Sequence, residues 1–277
     1  MKPKKIKVII FDLDGTLYED THHFDYYAKR IEERLSEEKR KFFRKDYQAV
    51  LSGSHPLKIG SVYDGEKDFI LILKNGIAKE VYRWDGTKLA LDEVQALYPK
   101  PITVNLDNMF SIGDLWWVPS SIGRHYGLKN EDTYQAFLET RKFMMGPSFN
   151  MFNEKSPTSK RSVGGRGSLT NSPQLDSEAI LEKLGLTNIF HQKIFEAGKP
   201  TKTAKHFEEI RTDFKVSYGE MMSVGDNLLN DIVPAKNLGC KTIYINPHKI
   251  GNNESADIVV KKVGECLEIL QNLPKKI

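Results

Sequence analysis

Val8-Ile9-Ile10-Phe11-Asp12-Leu13-Asp14-Gly15-Thr16-Leu17-Tyr18 decides the reading of this chain, because an apolar, β-branched run delivers two aspartates into a Gly-Thr turn. The run from Ile6 to Phe11 is short, continuous and ends at that turn. It predicts a strand buried on both faces of a parallel sheet. The end of the run is costly: an ionised carboxylate resists desolvation and a like charge beside it adds to the penalty. Asp12 and Asp14 together therefore point to a metal ion or to proton chemistry. The plain alternative is a strand that runs into an ordinary Asp-Gly turn.

Working outward, Met221 to Val224, Lys241 to Ile245 and Asp257 to Val260 are further short apolar runs, and each predicts a companion strand. Between the first two, a helix starting near Asn230 accommodates Pro234 in its first turn or just beyond and stops at Leu238-Gly239. Strands alternating with helices indicate an α/β fold built on a doubly wound parallel sheet.

The segment from 18 to 160 has another texture. Phe24, Tyr27, Ile31 and Leu35 recur at helical spacing in a charged stretch that runs to about Lys45, which predicts one amphipathic helix. After Gly53 the period changes. Lys58 to Tyr63, Asp68 to Lys74 and Ile77 to Trp84 read as strands separated by Asp64-Gly65, Asn75-Gly76 and Asp85-Gly86, the pattern of a small antiparallel meander. A second helix is expected from Asn130, as N-cap, to Met145, stopped by Gly146-Pro147. The expected organisation is a core of residues 1–17 and 161–277 interrupted by an inserted α+β domain of residues 18–160. The polar, basic, Gly-rich stretch 153–167 suits a mobile loop better than an RNA-binding segment, since it has no interleaved aromatics.

Composition narrows the class. At 277 residues the chain can bury a core without disulfides or structural zinc. Its two cysteines, Cys240 and Cys266, lie in apolar-leaning segments and are expected as buried thiols in a reduced, intracellular protein. The basic N-terminal stretch leads into too short an apolar run for a signal peptide, and nothing approaches the roughly 18 apolar residues of a membrane span, so a soluble cytoplasmic protein is expected. A net charge of +4 permits an anionic substrate without requiring nucleic acid.

Four signals fall at strand ends: Asp12 to Thr16; Ser168-Leu169-Thr170-Asn171-Ser172-Pro173; Gly198-Lys199-Pro200; and Gly225-Asp226-Asn227 with Asp231. Ligands of open α/β sheets bind beyond the carboxyl ends of the strands, so the four would share one cleft. Singly each has a bland reading: Thr170 and Asn171 as turn or cap residues, Lys199 as a surface lysine, Asp226 as a helix cap.

In this order and spacing they resemble the four motifs of the haloacid dehalogenase superfamily. The resemblance covers about residues 1 to 20 and 165 to 265 and implies a Rossmann-like core with a cap inserted between the first and second motifs. One departure stands out. The second motif of that family ends a clear apolar strand, whereas Thr170 follows Val163-Gly164-Gly165-Arg166-Gly167-Ser168-Leu169, a poor strand by propensity.

The resemblance assigns roles. Asp12 would be the nucleophile that forms an aspartyl-phosphate, and Asp14 the acid that protonates the leaving oxygen and later takes a proton from water. Asp12, the carbonyl of Asp14, and Asp226 would hold Mg²⁺, with Asp231 supporting that shell. Lys199, the Thr170 hydroxyl and backbone N–H groups around Gly15, Thr16 and Asn171 would surround the transferring phosphoryl oxygens. Dehalogenating members lack the second aspartate, so Asp14 points to phosphoryl transfer.

The implied activity is Mg²⁺-dependent hydrolysis of a small phosphorylated metabolite, either a nucleotide 5′-phosphate or a sugar phosphate or phosphoglycolate. The rival from another class is a non-catalytic or regulatory binding protein that kept the fold. In the inserted segment, His22, His23, Trp116, Trp117, Arg124 and His125 are candidates for substrate contact, against the plainer reading as cap core and surface residues. The β-rich stretch near 58 to 90 would suit lid closure or a homodimer. No nucleic acid or membrane partner is expected.

Overall fold

The structure is a computed structural model, and it describes residues 5–18, 22–74, 76–104, 107–146, 165–247 and 256–272. In chain order the first half forms β1 (Val8–Phe11), α1 (His22–Glu33), α2 (Glu37–Leu51), β2 (Val62–Asp64), β3 (Phe69–Lys74), β4 (Ile77–Arg83), α3 (Leu91–Leu97), β5 (Met109–Ser111), α4 (Trp117–His125) and α5 (Asn130–Met145). The second half forms β6 (Gly165–Leu169), α6 (Gln174–Lys183), β7 (Gln192–Ile194), α7 (Thr203–Asp213), β8 (Met221–Gly225), α8 (Val233–Asn237), β9 (Lys241–Ile245), β10 (Ile258–Val260) and α9 (Val263–Gln271). The described residues fall into two compact units, one within Met1–Thr21, Met144–Lys249 and Asn253–Ile277, the other within His22–Phe143. The division expected at 160/161 lies outside the described residues.

The first unit is built on a parallel sheet in the order β10-β9-β8-β1-β6-β7, as the α/β pattern predicts. β1 is its centre and is buried along its whole length. Phe11 pairs with Ser168 on one side and with Val224 on the other, so β1, β6 and β8 end level with one another. Val8, Ile10, Leu169, Phe207, Ile210 and Met221 form the core on one face. Cys240 and Cys266 are buried free thiols, as expected.

β6 is where local propensity misleads. The stretch 153–167 was expected as a mobile loop; residues 153–164 lie outside the described residues, and Gly165 to Gly167 form a strand that pairs with β1. Close packing accounts for the first glycine: a Cβ on Gly165 would lie 2.5 Å from a ring carbon of Phe214, the residue that ends α7. Gly167 has no such constraint, since a Cβ there would sit 3.7 Å from Ile10, an ordinary contact.

The second unit departs from expectation twice. The single helix expected through Leu35 is two helices, broken at Ser36, which is extended and is followed by Glu37 and Glu38 in the first turn of α2. Acidic residues there favour a fresh helix N-terminus. Arg40 holds the break by donating from Nε to the Leu35 carbonyl at 3.0 Å and from Nη2 to that of Glu33 at 2.9 Å, which satisfies the orphan end of α1. The meander is present as β2, β3 and β4, but a fourth strand, β5, joins it to give the antiparallel order β4-β3-β2-β5. The Asp64-Gly65 turn is longer than a two-residue hairpin: Asp64 Oδ1 accepts from the N–H groups of Glu66 and Lys67, and Asp68 takes the positive φ of 59°. Asn130, expected as an N-cap, is the first residue of α5, a shift within the usual ambiguity of helix ends. Among the described residues no helix is long and apolar enough to cross a membrane.

Gly165→Ala should lower stability by about 1–3 kcal/mol through overpacking against Phe214. Gly167→Ala should be neutral or stabilising by roughly 0.5 kcal/mol through reduced chain entropy. Urea unfolding midpoints check the pair, and the reverse order would contradict this account of β6.

Candidate active site

β1 ends at Phe11, and the chain turns at once: the N–H groups of Thr16 and Leu17 both donate to the Leu13 carbonyl, at 3.3 and 3.0 Å. That bonding leaves the N–H groups of Leu13 and Gly15 without an intramolecular acceptor among the described residues. Gly15 has a φ of 72°, and a Cβ on it would lie 2.1 Å from Asp226 Oδ2. Only glycine meets both conditions. The Asp12 N–H donates to the Val224 carbonyl at 2.9 Å, which locks the start of the turn to the end of β8.

Beyond β8, Asn227 Oδ1 caps a π-helical turn, Leu228–Ile232, by accepting from the N–H groups of Leu229 and Asn230 at 3.1 and 2.9 Å. The helix thus begins before Asn230, the start expected from sequence, and Pro234 sits early in α8. Proline cannot donate to the carbonyl four residues back. Thr203 does so instead, its hydroxyl meeting the Asn230 carbonyl at 3.2 Å. The turn aims Asp231 inward, where its Oδ2 accepts from the Asn227 N–H at 3.1 Å.

Lys199 joins these pieces. Its Nζ donates to Asp12 Oδ1 at 2.8 Å and to Asp231 Oδ1 at 2.5 Å, with 2% of its side chain exposed. Asn171 fixes the lysine backbone from both sides: Lys199 N donates to Asn171 Oδ1 at 2.7 Å, and Asn171 Nδ2 donates to the Lys199 carbonyl at 3.0 Å. Thr170 is buried, its hydroxyl accepting from the Ser172 N–H at 3.1 Å in a local turn, and the hydroxyl proton meets no acceptor among the described residues. Sequence reasoning gave Ser172 and Tyr18 no role. The structure puts both on Asp14: Tyr18 Oη donates to Oδ1 at 2.7 Å, and Ser172 Oγ donates to Oδ2. The signal in sequence for Tyr18 is slight, a polar tip on a ring set in an apolar context.

The residues expected at the site are therefore gathered in the first unit. One oxygen from each of Asp12, Asp226 and Asp231 lies within 4.8 Å of the others, and the Asp14 carboxyl is outside this set among the described residues. Both oxygens of Asp231 are engaged by Lys199 and Asn227, which suits the supporting part expected of it. Burial, opposed by Lys199 and reinforced by Asp231 and Asp14, pushes the Asp12 carboxyl up to about 7. Asp231 is also raised by burial, against the pull of Lys199. Burial disfavours charge on Lys199, but Asp12 and Asp231 outweigh it and hold the ammonium above its usual range. An all-oxygen donor set with excess negative charge fits a hard divalent cation such as Mg²⁺.

Within the second unit the candidates His23, Trp116, Trp117, Arg124 and His125 have different immediate neighbours. Trp116 packs in the second unit against His23, Phe24, Tyr27 and Phe137. Trp117 lies on Phe110. His125 stacks on Trp84 with ring centroids 4.0 Å apart and pairs with Asp68 at 2.8 Å, while the Arg124 stem lies beside Gly65.

Comparison with solved structures identifies the fold. A putative HAD-hydrolase from Bacillus subtilis, solved bound to magnesium, superposes with a TM-score of 0.54 over 96% of this chain and 99% of that one, at 15% identity. An L-2-haloacid dehalogenase gives 0.50 over 97% of this chain and 100% of that one, at 14% identity. No family model matches the sequence, and no curated protein matches it.

The raised Asp12 has a measurable consequence. Its ordinary value is 3.8 and its folded value about 7, so without metal its contribution to stability falls as pH rises through that window. Asp12→Asn removes the ionisation, and Lys199 keeps Asp231 as partner. Without metal the variant should therefore gain in melting temperature over the parent at pH 8 and lose that advantage at pH 5. Mg²⁺ at pH 8 should raise the parent and leave the variant unmoved. A pH-independent difference, or an equal Mg²⁺ shift in both, would contradict the assignment.

Proposed function

From the haloacid dehalogenase fold that this chain has, we propose that it is a Mg²⁺-dependent phosphomonoesterase acting through an aspartyl-phosphate on Asp12. The observation that carries this reading is the second carboxyl: Asp14, two residues after Asp12, accepts a hydrogen bond from a hydroxyl on each of its oxygens. Departure of an alkoxide needs a proton, and departure of a halide does not. A positioned second carboxyl is therefore useful for phosphate esters and idle in dehalogenation.

In the first step an Asp12 oxygen bonds to phosphorus while the bond to the leaving oxygen breaks, that oxygen keeping the electron pair and taking the proton of Asp14. In the second, a water oxygen bonds to phosphorus, its proton passes to Asp14, and the bond to Asp12 breaks. Lys199 offsets charge on Asp12 and holds it in line. The Thr170 hydroxyl and the N–H groups of Leu13 and Gly15 have protons to give to phosphoryl oxygens. Asp12, Asp226 and the Asp14 carbonyl would hold Mg²⁺, which when bound neutralises charge on the phosphoryl group and draws Asp12 into its ionised form. The proposed substrate is a small phosphorylated metabolite, a nucleotide 5′-phosphate or a sugar phosphate or phosphoglycolate.

The test is release of phosphate from a panel of such esters and from p-nitrophenyl phosphate, beside release of chloride from 2-chloropropionate. Phosphate should appear only with Mg²⁺, stop with chelator, and fall on the order of 10⁴-fold in Asp12→Asn. Chloride release without phosphate release would assign a dehalogenase, and neither product would favour a binding protein.

A further inference from the structure

We infer that Tyr18 and Ser172 are positioning residues for Asp14, aiming its carboxyl at the leaving oxygen in one step and at the water in the next; this rests on the phosphomonoesterase reading. Each Asp14 oxygen meets one hydroxyl, Tyr18 Oη on Oδ1 and Ser172 Oγ on Oδ2. Both hydroxyls sit on fixed frames. Tyr18 is fully buried and follows the turn closed by Leu17 on Leu13. Ser172 is held at its N–H by the Thr170 hydroxyl at 3.1 Å and at its carbonyl by the Glu196 N–H at 3.2 Å. The neighbouring Asn171 grips Lys199 on both sides, so one loop sets the acid and the lysine of the nucleophile together.

The choice of hydroxyls matters chemically. A lysine or a peptide N–H can only donate, and two such partners would hold Asp14 as an anion. A hydroxyl donates to a carboxylate and, by rotating, accepts from a carboxylic acid. Tyr18 and Ser172 can thus hold the plane of the Asp14 carboxyl through both steps. Lys199, by contrast, serves Asp12, which has no proton to deliver.

The experiment compares p-nitrophenyl phosphate with phenyl phosphate, esters of similar size whose leaving groups differ in their need for a proton. The full-length protein is assayed with Mg²⁺, and kcat/KM reports the steps up to loss of the leaving group. Tyr18→Phe and Ser172→Ala should each lower the phenyl-to-nitrophenyl ratio by about tenfold, a part of what a general acid supplies. Asp14→Asn should lower it further, and Ser172→Thr, which keeps the hydroxyl, should restore the parent ratio. A fault of folding alone would slow both esters alike. Equal slowing, or an unchanged ratio, would overturn the inference while leaving the phosphatase reading intact; absence of any release that Asp12→Asn abolishes would overturn both.

Discussion

The site depends on one buried ammonium. Lys199 stands between Asp12 and Asp231 at hydrogen-bond distance from each, and all three side chains are at least nine-tenths withdrawn from solvent. Removing the Lys199 ammonium would leave two buried carboxylates uncompensated, a loss that typically costs about 3–5 kcal/mol. With Asp226 beside them, three carboxylates face one ammonium, and the excess matches a divalent cation. The arrangement is poorly balanced by itself and would be better balanced with a cation bound.

The backbone makes that clustering attainable. β1 lies between β6 and β8 with their ends level, so Asp12, Thr170 and Asp226 arise from three adjacent strands. Gly15 then lets the first turn pass against Asp226, and Gly225 does the same for Asp231, whose Oδ2 lies 2.4 Å from where a Cβ on that glycine would be. Backbone glycine is used here for proximity of charge.

Much of this was legible in sequence, for identifiable reasons. β1, β8 and β9 are continuous apolar runs ending at polar turns, and such runs leave little choice of structure. β6 was obscure because Gly165 answers to the Phe214 ring, a constraint from a distant helix. β5 is three residues long and exists through pairing with β2, so no local period announces it. The break between α1 and α2 was obscured by apolar spacing that continues across it, although Ser36 with two following glutamates was readable as a helix start. At the site, Asp12, Lys199, Asp226 and Asp231 came from ordered motifs. Tyr18 and Ser172 did not, because a hydroxyl on a carboxylate leaves no pattern in the chain. The aromatic and basic residues near 116–125 looked clustered in sequence, and α4 distributes them to different neighbours.

The central claim is that Asp12 carries the phosphoryl group. The most direct measurement quenches the Mg²⁺-loaded protein during turnover of p-nitrophenyl phosphate, reduces it with borohydride and maps the peptide spanning β1 by mass spectrometry. An acyl phosphate at Asp12 would be reduced to homoserine at that position alone, and the product would be missing from chelator-treated protein. Turnover with position 12 unmodified, or with modification at another residue, would contradict the account.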